Sequence, residues 1–238
     1  MNNDNVRRGE FKYFISNHDI AILRQSLKEL MCIDKNSSLT TSRYTITSLY
    51  FDTPFDTALE EKLSGIINRK KYRIRTYNNN DKVIKFETKT KANTTIFKES
   101  ELISRKTAEN IISGDYRDLL NSSSQYLKKT YAMLSLKKYR PVVIVEYDRE
   151  AYTLPFGNTR ITFDLNLRTY NSEINIFELR TGSIPVLLVD KQIMEIKFDH
   201  FLPTYLKAIL GRMSVEHSAI SKYTLCRRFI KTSTWQDN

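Results

Sequence analysis

Six glycines, five prolines and two cysteines are all that this 238-residue chain contains, and each scarcity excludes something. No G-x-G-x-x-G and no G-x-x-x-x-G-K-[ST] occurs, so neither kind of glycine-rich backbone cradle is present for a phosphate. An anion bound here must be held by side chains. H-E-x-x-H and G-x-S-x-G are missing too, which removes the commonest zinc-protease and serine-hydrolase signatures. Cys32 and Cys226 form neither a metal-ligand spacing nor a disulfide framework, and a reducing cytoplasm is the default compartment. The N-terminal MNNDNVRRGE lacks the apolar core of a signal peptide, and no apolar run approaches the roughly 20 residues of a membrane span. His18, His200 and His217 stand far apart and read as surface or packing residues rather than ligands.

What the chain has in excess is positive charge. Against 27 Asp and Glu stand 38 Lys and Arg, a formal net charge of +11, which favours polyanionic partners. Fourteen Tyr and twelve Phe can fill a sizeable core. No repeat, linker or low-complexity tract divides the chain, so residues 1–238 read as one domain. Helical spacing of apolar residues follows Ser16, where S-N-H-D resembles a capping box, and recurs over 105–113, 123–137 and 203–213. Strand-like runs cover 8–15, 45–52, 69–78, 82–91, 95–102, 142–152, 159–166 and 193–198.

Those runs put charge on one face and apolar residues on the other. In NRKKYRIRTY (68–77), Arg69, Lys71, Arg73 and Arg75 alternate with Lys70, Tyr72, Ile74 and Thr76. Side chains two apart share a face at about 6.6–6.8 Å, where unit charges repel by roughly 2 kcal/mol at an effective dielectric of 20. Either water screens that row or an anion sits on it. If the row is naked, trimming Arg73 or Arg75 should not cost the empty protein stability. The same alternation gives Glu10 and Lys12, then Lys85, Glu87, Lys89 and Lys91, then Tyr147 and Arg149, then Arg160, Thr162 and Asp164, and lastly Glu195 and Lys197. A sheet with one wet charged face explains any one strand. Across six such strands it weakens, because a solvated face mixes polar types and both signs. Closing such a sheet places the charges inside a barrel walled by an apolar shell.

The motifs R-x-E-x-K-Y (8–13), SLYFDT (48–53), KKYRIRTY (70–77), K-x-E-x-K (85–89), Y-x-R (147–149), R-x-T-x-D (160–164), E-I-K (195–197) and S-K-Y (221–223) occur in that order. The set resembles the VTC domain, the polyphosphate polymerase domain of the triphosphate tunnel metalloenzymes, or CYTH-like superfamily, over roughly residues 8–230. That resemblance implies an α+β fold, an eight-stranded antiparallel tunnel with helices outside. It implies a Mn²⁺- or Mg²⁺-dependent transfer of the terminal phosphate of ATP to polyphosphate. By matching position, phosphate would be bound by Lys12, Arg73, Arg75, Lys85, Lys98, Arg149, Arg160, Ser221 and Lys222. Lys12, Arg73, Arg75, Lys85, Arg149, Arg160 and Lys222 among these would be catalytic. Glu195 would be the principal metal ligand and Glu10 a second one.

The chain departs from that pattern in two places. The superfamily's N-terminal E-x-E-x-K is Arg8-x-Glu10-x-Lys12 here, which replaces one carboxylate by a cation, and its P-x-W is Pro203-Thr204-Tyr205. The sensing domain and membrane spans of eukaryotic members are missing from this sequence, so regulation and any translocation would need other proteins, with a membrane protein as a candidate partner. A terminal phosphate needs no general base as a nucleophile, whereas water often does. Glu87 and Asp164 are candidate bases, but each reads more readily as an ion-pair partner of its Lys or Arg neighbours. Transfer is thus favoured over the alternatives, a tripolyphosphatase or nucleoside triphosphatase of the same fold and a non-catalytic polyphosphate-binding module. Nucleic acid is not expected, since the aromatics alternate with the cations instead of sitting beside basic loops.

Overall fold

The expected alternation of faces is what organises the computed structural model, which describes residues 8–34, 42–93, 95–170, 175–178, 181–213 and 216–235. The side chain of Arg8, the cation of the N-terminal motif, lies outside the described part. All eight expected strands form: β1 (Arg8–Ser16), β3 (Arg43–Asp52), β4 (Arg69–Tyr77), β5 (Asn80–Ala92), β6 (Thr95–Leu102), β7 (Arg140–Leu154), β8 (Thr159–Tyr170) and β10 (Lys191–Asp199). Short strands β2 (Cys32–Ile33), β9 (Ser183–Pro185) and β11 (Glu216–His217) complete the sheet. Its order is β11-β1-β10-β8-β7-β3-β4-β5-β6, with β2 on β7 and β9 on β8. The helices are α1 (Asn17–Leu30), α2 (Thr57–Leu63), α3 (Arg105–Ile112), α4 (Arg117–Leu120), α5 (Gln125–Leu136), α6 (Thr204–Leu210) and α7 (Lys222–Trp235). Among the described residues no helix is long and apolar enough to cross a membrane.

Within the chain two compact units are distinguished. The first comprises Met1–Thr45, Tyr147–Leu167 and Leu187–Ser221, the second Ile46–Glu146, Arg168–Val186 and Lys222–Asn238. In the first, β1 and β10 run antiparallel with Lys12 opposite Glu195 and Glu10 opposite Lys197. β10 and β8 set Glu195 opposite Thr162 and Lys197 opposite Arg160. Period two then sends Met194, Ile196 and Phe198 of β10, with Ile161, Phe163 and Leu165 of β8, to the other face. They form a core with Ile20, Leu23 and Leu27 of α1 and Leu206 and Leu210 of α6. α1 starts where S-N-H-D places it, the Ser16 hydroxyl accepting the Asp19 N–H at 3.0 Å.

In the second unit, β4 lies between β3 and β5, and β6 follows. Leu49 and Phe51 of β3, Tyr72 and Ile74 of β4, and Ile84 and Phe86 of β5 pack on Ala108 and Ile111 of α3, Leu119 of α4 and Leu127 and Leu134 of α5. Tyr72 and Ile74 therefore lie under helices, as their alternation with the arginines requires. Helices α2 and α7 are not anticipated by the sequence reading, although buried Tyr223, Cys226 and Arg227 stand at helical spacing in α7.

Phe86 is fully buried at the middle of the second unit's core. Truncation of such a side chain costs about 3–5 kcal/mol. Phe86→Ala should lower the urea midpoint accordingly with an unchanged slope and far-ultraviolet dichroism; a midpoint equal to wild type would show that this face is not packed as described.

Candidate functional site

Each unit gathers charge on the face opposite its core. In the second unit, cross-strand register lines up Tyr50, Arg73, Glu87 and Ser100 across four strands, and Ser48, Arg75 and Lys85 across three. Arg73 brings Nε and Nη2 to the same Glu87 oxygen at 2.7 and 2.6 Å. Its Nη1 donates to the Tyr50 hydroxyl at 2.8 Å. Lys98 Nζ meets the other Glu87 oxygen at 2.6 Å, and Arg75 Nη1 stands 3.8 Å away. Arg75 Nε donates to Ser48 Oγ at 3.2 Å, while Lys85 Nζ lies 5.7 Å from the centre of the Tyr77 ring.

Glu87 is 1 % exposed. Burial by itself would raise its pKa, but Arg73, Arg75 and Lys98 outweigh that and hold the carboxyl down to about 2. The same burial lowers the Lys98 ammonium, against the pull of Glu87. The anion that the arginine row demands is thus partly built in. This corrects one inference from the sequence: Arg73→Ala would strand a buried carboxylate, so it costs the empty protein stability.

In the first unit Arg149 is the buried cation. Its Nε and Nη2 form a fork on both oxygens of Asp164, at 2.6 and 2.8 Å, and Nη2 is 3.8 Å from Glu195. Burial would lower the Arg149 pKa, yet Asp164 chiefly, with Tyr147 and Glu195, keeps it well above the ordinary value. Around Glu10 and Glu195 sit two ammoniums. Lys12 Nζ is 3.1 Å from Glu10 and 3.9 Å from Glu195; Lys197 Nζ is 3.1 Å from Glu195 and 4.0 Å from Glu10. Arg160 pairs with Asp34 at 2.9 Å and donates to the Tyr44 hydroxyl at 3.1 Å.

Among the described residues no group of three His, Cys, Asp or Glu could hold a metal ion. A closed protein cage is therefore not formed there. Two hard carboxylates on one face suit Mg²⁺ or Mn²⁺, which keep most positions for water and phosphate oxygens. Glu10 Oε1 is buried with the Lys12 ammonium 3.1 Å away, an oxygen of the donor type such an ion takes. Glu10 and Glu195 fit such an ion.

Ser221 precedes α7 and Lys222 is its first residue; both are half-buried. Next in the chain, Tyr223 donates to Asp52 Oδ2 at 2.6 Å and packs on Tyr50, with ring centres 5.0 Å apart. Asp52 also accepts the N–H groups of Thr53, Ala58 and Leu59 at 2.8, 2.8 and 3.1 Å, fixing the start of α2. SLYFDT signalled Asp52, but only as a motif with no role. Lys197, Asp34 and Tyr44 were likewise not singled out as site residues. Of the histidines, His217 meets the rings of Phe11 and Tyr13 edge-on, in keeping with a packing role.

The protein is thus α+β, built on an antiparallel sheet with arginines and lysines gathered on the face away from its cores. A family model for the VTC domain matches residues 7–231, so the chain belongs to the VTC domain family. Among curated proteins none matches it by sequence. Solved structures share the fold, and two of them illustrate it. HpAC1 from Hippeastrum, named as an adenylyl cyclase and described as having a dominant triphosphatase activity, is 14 % identical; the match covers 92 % of this chain and 95 % of that one, with a TM-score of 0.57. A Bacillus halodurans protein named as an adenylate cyclase is 13 % identical over 89 % of this chain and 92 % of its own, with a TM-score of 0.53.

Glu87 gives a pH test. Because its folded pKa is depressed, its stabilisation is present above about 4.5 and is lost as the pH falls towards about 2. The loss is on the order of 3 kcal/mol. Glu87→Gln should be less stable than wild type at pH 7 and lose less on acidification; parallel stability curves for the two proteins between pH 5 and 2 would contradict the ion-pair assignment.

Proposed function

We propose that the chain is a divalent-metal-dependent ATP–polyphosphate phosphotransferase. The observation that carries this is the state of the candidate bases: Glu87 is tied to Arg73 and Asp164 to Arg149, in a setting dominated by cations. Such a setting favours an anionic phosphate as nucleophile over a water that must be deprotonated. A polyphosphate oxygen attacks the terminal phosphorus of ATP, the bond to the bridging oxygen breaks, and ADP leaves with that oxygen's charge. No proton need be removed from the nucleophile.

The residues divide by chemistry. Lys12, Arg149 and Arg160 in the first unit, and Arg73, Arg75, Lys85 and Lys98 in the second, would hold phosphate oxygens, with Ser221 and Lys222 contributing at the start of α7. Arginine forks suit paired oxygens, and lysines supply point charge. Glu195 with Glu10 would hold Mg²⁺ or Mn²⁺, which when bound neutralises charge on the phosphates. Cytoplasmic location and a membrane-protein partner go with this reading.

Hydrolysis is the second reading. The observation that favours it is a fold shared with a protein described as having a dominant triphosphatase activity. Purified protein given ATP and Mn²⁺ should yield ADP and polyphosphate of growing length. Orthophosphate as the sole phosphate product would assign the hydrolase instead, and binding without turnover a carrier. Glu195→Gln should abolish metal-dependent turnover while retaining polyphosphate binding; wild-type turnover in that variant would remove Glu195 from the site.

A further inference from the structure

One cation on the second unit's polar face differs from its neighbours. Lys71 lies two residues before Arg73 on β4, directly opposite Lys89 of β5, which in turn lies opposite Lys98 of β6. Directly opposed residues have Cβ atoms about 4.5–5.5 Å apart, and like charges so placed repel. Lys71 Nζ sits 4.3 Å from the centre of the Tyr223 ring. That ring is held in place, since its hydroxyl is committed to Asp52. Asp52 in turn spends its charge on Tyr223 and three backbone N–H groups.

We propose that Lys71, framed by Lys62, Arg69 and Lys89, is a proton-linked contact for a phosphate oxyanion, binding it as an ammonium that takes up its proton with the ligand. The proposal rests on the reading of this face as a phosphate site and adds a residue and a form of regulation to it. Among the groups acting on Lys71 are Asp52 from β3, Lys62 from α2, Arg69 on its own strand, Lys89 from β5 and Tyr223 from α7. Burial foremost, then Lys62, Arg69 and Lys89, push the ammonium down to about 7, with Asp52 opposing. A polyanion on this face adds negative charge beside the ammonium and favours the protonated form. Arg73 and Arg75 cannot respond in this way, because guanidinium stays charged. The balance is simple: one proton passes from solvent to Lys71 Nζ when the phosphate binds, and returns when it leaves. Affinity therefore rises as the pH is lowered from 9 towards 7, then levels once Lys71 is charged in both states.

Calorimetric titration with tripolyphosphate, in two buffers of different ionisation enthalpy, measures the protons exchanged. Tripolyphosphate itself titrates, so the informative quantity is the difference between wild type and Lys71→Arg, which is always charged. At pH 8.5 the wild type should take up about one proton more per bound ligand than Lys71→Arg. The ratio of wild-type to Lys71→Arg Kd should rise by up to about tenfold per pH unit between 7.5 and 9. Lys71→Met, uncharged and isosteric with most of the stem, should match Lys71→Arg in proton exchange while binding more weakly. Binding with equal proton exchange in wild type and variants would overturn the assignment of Lys71 alone. Absence of tripolyphosphate binding by the wild type would overturn it together with the phosphate-site reading.

Discussion

The carboxylate of Glu87, shut among Arg73, Arg75 and Lys98, is what allows the second unit to keep so many cations on one face. Without it, alternate arginines of β4 would face one another across a low-dielectric surface with nothing but repulsion between them. The first unit uses the same device, with Asp164 gripping Arg149 in a bidentate pair and Glu195 standing between Lys12, Lys197 and Arg149. Buried pairs of this kind return little net stability, since desolvation takes back most of the Coulomb gain. What they do secure is geometry. The guanidiniums of Arg73 and Arg149 are each aimed by a protein carboxylate and, at Arg73, also by a tyrosine hydroxyl. In the second unit Arg73, Arg75 and Lys98 share the single carboxylate of Glu87, which leaves that face with an excess of positive charge.

The fold was legible wherever period two was clean. RKKYRIRTY and KQIMEIKFD alternate without interruption, and both became long strands with the apolar set on helices and the charged set on the opposite face. Helix α1 was legible from its cap and its Ile20, Leu23 and Leu27 stripe. Helices α2 and α7 were not, for a physical reason. The start of α2 is held by Asp52, which lies on the preceding strand and outside the usual cap position, so no local signal marks it. In α7 the buried stripe includes Tyr223 and Arg227, polar types whose burial depends on Asp52 and Asp56, partners some 170 residues away. The division into two units has no linker or change of composition to announce it, because strands β3, β7 and β8 each carry residues of both.

The site was legible as a set of cations and less so as a network. Residue types and spacing put Lys12, Arg73, Arg75, Arg149 and Arg160 on polar faces, and the family match supports reading those faces for phosphate. That Glu87 and Asp164 act as counter-ions followed from their strand positions, as was expected. Pairing across strands is a different matter. The meeting of Arg160 with Asp34 and Tyr44, and of Lys197 with both Glu10 and Glu195, depends on register and on a loop position that no periodicity fixes. Lys71 shows the limit most clearly: in NRKKYRIRTY it is one cation in a row, and only the lysine opposite it and the tyrosine ring beside it set it apart.

The central claim is that these charged faces exist to bind a polyanion, and thermal unfolding with two anions at equal ionic strength tests it most directly. A ligand specific to the folded state stabilises it by roughly 2.7 kcal/mol at a hundredfold excess over Kd. For a chain of this size that is a rise in melting temperature of about 5–10 °C. Tripolyphosphate should produce such a rise and sulfate a much smaller one, and Arg75→Ala should lose most of the tripolyphosphate effect. Equal small shifts with both anions, unchanged in Arg75→Ala, would contradict the account and leave the arginine row a solvated surface.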